Sequence, residues 1–384
     1  MKKVILMTAC TAAVLLSGCS DNELASVGDG IGTSTQSAIG FHVVGNQAET
    51  RANIINASTI TSTDFNVFAF TKNDDGTDGN FFMGEKEKVE GLGPAGITIK
   101  NKNNNWNYAN PSDIHYWPAS TALNFYAVNP ATVADNMLTH LTWSITKDKK
   151  TITYLCCNEY ENSGGDFNYD VMYAIAKDQT KDKNAGKVNF QFKHILSQVV
   201  FKAKTQLENM EVEINKIKIH NCNLGGIYTL PTGSATEGTW ATPTGKPVGK
   251  FTVGMEQNIK VTSTVTDISE KKPMLVVPQT LIPWDTNEAT AKSTAEADKA
   301  GESYLVISCK IKQNGEYVFA PEGNYGTLYV PFGPTWEQGK RYTYTLIFGG
   351  GYDEQGQAIL QPINFEAETG DWPDPDKKEI NVNK

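Results

Sequence analysis

Arginine is nearly missing from this chain: of 34 basic residues only Arg51 and Arg341 are arginines. Cysteine is scarce as well. There are six, and no C-x-x-C or H-E-x-x-H spacing that would indicate a zinc module. Cys156 and Cys157 are neighbours in a strand-like stretch, where side chains point to opposite faces, so bridging them would demand a strained ring. Cys222 and Cys309 read as two buried thiols, with a disulfide between them as the minor alternative. The five histidines, His42, His115, His140, His194 and His220, are scattered singly, and no G-x-S-x-G elbow accompanies them. That pattern argues against an enzyme. His194, between Phe192 and Leu196, reads as a satisfied, half-buried strand residue. A net charge of −9 repels phosphate backbones, which excludes nucleic acid as a partner. Helical propensity is confined to residues 289–299, rich in Ala, Lys and Glu but lacking a broad apolar stripe, and the segment reads as a surface excursion. Residues 91–96 match G-x-G-x-x-G formally but precede a strand, so they form a turn and not a phosphate cradle. Asp74, Asp78, Gly79 and Glu85 take four positions of a calcium loop, but Gly76 stands at the third ligand position. An acidic hairpin is the expectation, a weak calcium site the alternative. No cofactor and no metal are expected.

What is present begins at the first residues. Lys2 and Lys3 precede an apolar run over residues 4–16 that ends in Leu16-Ser17-Gly18-Cys19. The run is too short for a stop-transfer helix, and small residues before a cysteine are what a lipoprotein peptidase requires. Residues 1–18 are therefore expected to leave as a signal peptide, with Cys19 acylated. Several acyl chains on one residue exceed the threshold for lasting membrane attachment. No second long apolar run follows, so lipid would be the sole anchor. Residues 19–36, rich in Ser, Gly and Asp, form a flexible tether.

Beyond the tether the dominant period is two. Phe65, Val67 and Ala69 alternate with Phe68 and Phe70; Leu123, Phe125 and Ala127 repeat the pattern, as do Val171, Tyr173 and Ile175. Strands filled on alternate faces imply sheets packed face to face. A charged, turn-rich stretch over residues 179–186 suggests a division into 37–185 and 186–384.

Several pieces, weak singly, are specific in their order: Ile39-Gly40-Phe41 before Thr50-Arg51-Ala52; Phe65-Asn66-Val67-Phe68-Ala69-Phe70; Trp106-Asn107-Tyr108 leading to Tyr116-Trp117-Pro118; Phe192-Lys193-His194-Ile195-Leu196-Ser197-Gln198-Val199; and Trp336-Glu337-Gln338-Gly339-Lys340-Arg341-Tyr342. With them the chain resembles the fimbrillin-like proteins, the type V pilins and their relatives in Bacteroidota. The resemblance implies an all-β fold of two tandem transthyretin-like β-sandwich domains with Greek-key-type connections. It implies a lipidated precursor in the cell outer membrane that a surface protease matures into a fimbrial subunit, with other subunits as partners in a homo- or heteropolymer.

The residues meet the physical needs of that route. Ile39, Phe41 and Val43 alternate in a short strand beside the tether. Arg51 and Ala52 lie in a polar stretch, residues 46–56, suited to enter a protease cleft. Cutting there would free the first strand and leave unpaired backbone beside an apolar groove, which another subunit's strand could repair. Candidate donors lie at the carboxy end, where Ile363 and Phe365 alternate and Ile380 and Val382 alternate again beyond Pro373 and Pro375. The alternative is an uncut, monomeric surface lipoprotein whose seven tryptophans stack on glycans or a host ligand.

Overall fold

A computed structural model of the chain describes residues 37–43, 63–85, 94–102, 105–131, 141–156, 170–241, 248–287, 290–360, 363–372 and 380–381. Strand β1 (Gly40–Val43) precedes β2 (Phe65–Lys72), β3 (Asp78–Met83), β4 (Ile97–Lys102), β5 (Asn105–Tyr108) and β6 (Leu123–Asn129). Next come β7 (Leu141–Ile145), β8 (Lys150–Leu155), β9 (Met172–Gln179), β10 (Lys187–Phe190) and β11 (Lys193–His194). Then follow β12 (Ser197–Thr205), β13 (Met210–Asn223), β14 (Gly225–Thr229), β15 (Thr239–Ala241), β16 (Val248–Thr252), β17 (Ile259–Val261) and β18 (Thr266–Asp267). The chain continues through β19 (Met274–Val276), β20 (Gln279–Thr280), β21 (Ile282–Pro283), helix α1 (Thr294–Ala300), β22 (Glu302–Gln313), β23 (Glu316–Phe319) and β24 (Gly326–Pro331). It closes with β25 (Thr335–Trp336), β26 (Lys340–Phe348), β27 (Gly350–Tyr352), β28 (Ala358–Leu360), β29 (Asn364–Asp371) and β30 (Ile380–Asn381). The described fold is all-β apart from α1.

The first sheet runs β10-β1-β5-β4-β2-β6-β9-β11, with β3 added to β2. Laid flat, eight strands would span about 34 Å. Yet its two edge strands, β10 and β11, are separated by only two residues of chain, a reach of about 10 Å. The sheet must therefore fold back on itself. Alternation then sorts its side chains: Phe65, Val67 and Ala69 of β2 join Phe125 of β6 and Phe190 of β10 in one buried cluster. Phe68, Phe70, Tyr126 and Tyr173 point the other way, into a second and larger cluster.

That larger core lies between two further sheets. One runs β18-β12-β26-β29-β30, the other β16-β13-β22-β24-β27-β28. Val199 and Phe201 of β12 and Leu346 and Phe348 of β26 share the core with Ile217 of β13 and Leu305 and Ile307 of β22. A four-stranded sheet, β15-β14-β8-β7, completes the enclosure. The division expected between residues 185 and 186 falls just before β10. Strands beyond it, β10 and β11, complete the first sheet, and β8, before it, pairs along its length with β14.

Helix α1 starts at a capping box between Ser293 and Glu296 and ends at Gly301, whose φ of 72° is in the left-handed region. It is more than a surface excursion, because Ala297 is fully buried beside Trp284 and Tyr304.

Candidate functional site

Strand β1 is an interior member of the first sheet. It runs parallel to β10, with Gly40, Phe41, His42 and Val43 opposite Lys187, Val188, Asn189 and Phe190. On its other side Phe41 stands opposite Trp106 of β5. Just ahead of it the Ile39 amide donates to the His115 carbonyl at 2.9 Å, and the Trp117 amide donates to the Ser37 carbonyl at 3.0 Å. The Trp117 indole donates to the Gly186 carbonyl at 3.0 Å, which pins the turn leading into β10.

The period of two delivers Ile39 and Phe41 inward, where they are 1% and 4% exposed, and turns His42 outward. The Phe41 ring is held on three sides. It meets Tyr108 edge-on at 5.5 Å and Phe125 edge-on at 6.5 Å, and it stacks on Phe190 at 6.1 Å with planes 8° apart. Phe65 backs this cage, 4.9 Å from Trp106 and 5.7 Å from Phe190. Burial pushes the Tyr108 phenol up to about 12, so it stays neutral at physiological pH. The cage offers apolar shape and, along β10 and β5, backbone hydrogen-bonding groups. It is a place for an extended strand, not for proton or group transfer.

Arg51, Ala52, Cys19 and Val382 lie outside the described residues. Arg341, the second arginine, sits in β26 between β12 and β29, opposite Gln198 and Gly370, and its guanidinium pairs with Glu270. Its peptide bonds are locked in a ladder on both sides. At the carboxy end Ile363 is buried, and β29 is bonded to β26 over eight residue pairs, from Ile347 opposite Asn364 to Lys340 opposite Asp371. Phe365 packs 5.8 Å from Phe332. β30 lies outside β29, with Ile380 opposite Thr369.

Other candidates take structural roles. Asp78 accepts from Lys150 at 2.6 Å, from the Tyr126 hydroxyl at 2.7 Å and from the Asn124 amide at 2.8 Å. A carboxylate so occupied has an ammonium where a calcium ion would sit. Among the described residues no three His, Cys, Asp or Glu side chains gather as a metal site. His194 bonds Asp170 at 2.9 Å and lies flat against Trp372, ring centres 4.2 Å apart. Trp106, Trp117, Trp284, Trp336 and Trp372 are buried, while Trp143 and Trp240 are half-buried against the core, so none of the seven is among the fully exposed large apolar side chains. Cys156, Cys222 and Cys309 are buried, and the Cys222 thiol faces the Gly249 carbonyl at 3.8 Å. Sequence reasoning did not anticipate β10 as the parallel neighbour of β1. Its signal, Val188 and Phe190 alternating with Lys187 and Asn189, was legible as a strand but carried no information on which sheet it would join.

A model of the fimbrillin-like family matches residues 50–372. In three dimensions the chain is similar to a fimbrial protein from Bacteroides vulgatus, with a TM-score of 0.59 and 16% identity over 88% of this chain and 99% of that one. It is also similar, with a TM-score of 0.35 and 11% identity over 84% of this chain and 97% of that one, to the tip fimbrial protein Mfa3 from Porphyromonas gingivalis. No curated protein matches it. At such identities the first likeness speaks for the fold alone.

Proposed function

The chain belongs to the fimbrillin-like family, and from that premise we propose that it is a structural subunit of surface fimbriae that supports adhesion. It is exported as a lipoprotein acylated on Cys19, held at the outer membrane, cut between Arg51 and Ala52, and polymerised by donor-strand exchange. One observation carries this reading. β1 is an inner strand, yet its only covalent tie to the strands that surround it runs through the connection to β2, and that connection contains Arg51.

A cut after Arg51 turns β1 into a separate ligand of its own fold. Its departure would strip bonding partners from β10 and β5 together and open the cage around Phe41, a defect on which neighbouring backbone and apolar surface both act as templates. Ordered pairing of Arg341 in β26 favours Arg51 as the bond that is cut. The incoming strand comes from another subunit's carboxy end, from the segment with Ile363 and Phe365 or the one with Ile380 and Val382. Such a head-to-tail contact propagates into a filament instead of closing.

Amino-terminal sequencing of protein taken from the cell surface, beside native gels of the Arg51→Ala variant, tests this. The expected result is a chain starting at Ala52 and a ladder of oligomers that the substitution abolishes. Monomers with a blocked terminus at Cys19 would overturn it.

A further inference from the structure

Asp78 and Lys150 bring two sheets into contact through their side chains. Asp78 opens β3, which pairs with β2 in the first sheet, and Lys150 opens β8 in the four-stranded sheet. The two side chains are only 7% and 9% exposed, and the ammonium lies 2.6 Å from Asp78 Oδ2. Lys310 with Glu213 and Lys292 with Glu302 are both more open. Around the buried pair the walls are aromatic: the Lys150 nitrogen stands over the Phe70 and Tyr126 rings, and Phe81 packs 4.4 Å from Phe70. Ions so enclosed have lost their water, and mutual attraction offsets that loss incompletely.

Each polar group of the pair is aimed. Lys150 faces Asp78 and donates to the carbonyls of Thr146 at 3.0 Å and Lys147 at 2.9 Å, so its three protons have three acceptors. When the proton facing Asp78 crosses to Oδ2, the lone pair left behind points at the carboxyl group, and the two carbonyls hold the remaining N–H bonds. On the other side Asn124 donates to Asp78 Oδ1 at 2.8 Å and the Tyr126 hydroxyl donates to Oδ2 at 2.7 Å. Burial and the bond to Asp78 push the Tyr126 phenol well above its usual range, so it keeps its proton. Negative charge developing on Oδ1 meets the Asn124 amide, and Oδ2 has a hydroxyl beside it to relay protons.

We propose that Lys150 and Asp78, an ion pair in the freshly folded chain, condense into an isopeptide cross-link. The bond from Lys150 Nζ to Asp78 Cγ forms and the bond from Cγ to Oδ2 breaks. The ammonium gives two of its protons to Oδ2, one directly and one through the Tyr126 hydroxyl, and Oδ2 departs as water. Nothing is oxidised or reduced. Free ions in water resist this step because solvent holds them as ions and they must first meet. Here burial removes the first obstacle, and fixed contact replaces the second with an effective concentration on the order of 10⁵ M or more. The product is neutral and ties the β2–β3 hairpin covalently to β8, independently of any cut at Arg51.

The test is the mass of the full chain, followed from folding through storage under denaturing detection, with tryptic mapping of the end product. The expected chain becomes lighter by one water. Residues 73–86 should then travel joined to residues 150–177, because trypsin does not cut after an acylated lysine. Lys150→Arg keeps the cation and should keep the full mass, and Tyr126→Phe should slow the loss of water by about a hundredfold. A wild-type chain that stays at full mass, with trypsin cutting after Lys150, overturns the proposal. So does a chain that loses water yet is still cut after Lys150, since ring closure of Asp78 on the Gly79 amide expels the same water. An unchanged rate in Tyr126→Phe overturns the part given to the hydroxyl.

Discussion

Phe41 shows how much a single side chain contributes when it is ringed by others. Truncating a buried phenylalanine usually costs about 3–5 kcal/mol, the lost transfer energy plus an unfilled cavity. Phe41→Ala in the uncut chain should fall in that range by urea unfolding, whereas His42→Ala, on the outer face of the same strand, should leave stability nearly unchanged. The Asp78–Lys150 pair makes a second residue-scale prediction. The Lys150 ammonium lies 5.1 Å from the Phe70 ring and 4.8 Å from the Tyr126 ring, and both partners are almost wholly buried. Lys150→Met strands a carboxylate in that setting and should cost about 3–5 kcal/mol, while adding Asp78→Leu should recover much of the loss. His220 gives a pH dependence. Burial, aided by the charges of Lys250 and Lys218, lowers its pKa from 6.5 to about 4. An unfolded chain takes up that proton near pH 6.5, the folded chain only near 4, so stability present at neutral pH is lost as pH falls through that window and levels off below it. Unfolding curves from pH 7 to 3.5 should show the slope, and His220→Gln should flatten it.

At the scale of elements, α1 offers a clean measurement: Ser293→Ala removes the hydroxyl that accepts from the Glu296 amide and should cost about 1 kcal/mol by thermal unfolding. Elements were also what the sequence conveyed best. The alternations at Phe65, Val67 and Ala69 and at Leu123, Phe125 and Ala127 became β2 and β6, each with one face in each core, because a period of two has only one structural meaning. The inward pattern of Ile39 and Phe41 was legible for the same reason. Pairing was not legible. Val188 and Phe190 declare a strand, but their partner lies nearly 150 residues away, and nothing local encodes a parallel neighbour reached by so long a connection. Residues 289–299 lacked an apolar stripe, so the docking of α1 through one alanine, Ala297, was invisible: a single small buried residue leaves no period to detect.

For the molecule as a whole, cores that run through both halves of the sequence make the described fold hard to divide. A fragment ending at Ala185 would lack β10 and β11 and leave β8 without β14, and it is expected to be insoluble or to give collapsed amide dispersion by NMR. The same enclosure silences the thiols. Burial pushes Cys309 up to about 12, and Cys156 and Cys222 are likewise inside, so mass-spectrometric mapping after alkylation of the folded chain should find all three unlabelled until denaturant is added. The two-sided bonding of β1 has a mechanical side too. A strand tugged along its own axis with a neighbour on each flank shares the force among its bonds, which yield together in shear, whereas an edge strand peeled sideways surrenders them one after another. Whatever occupies that position inherits the tougher geometry.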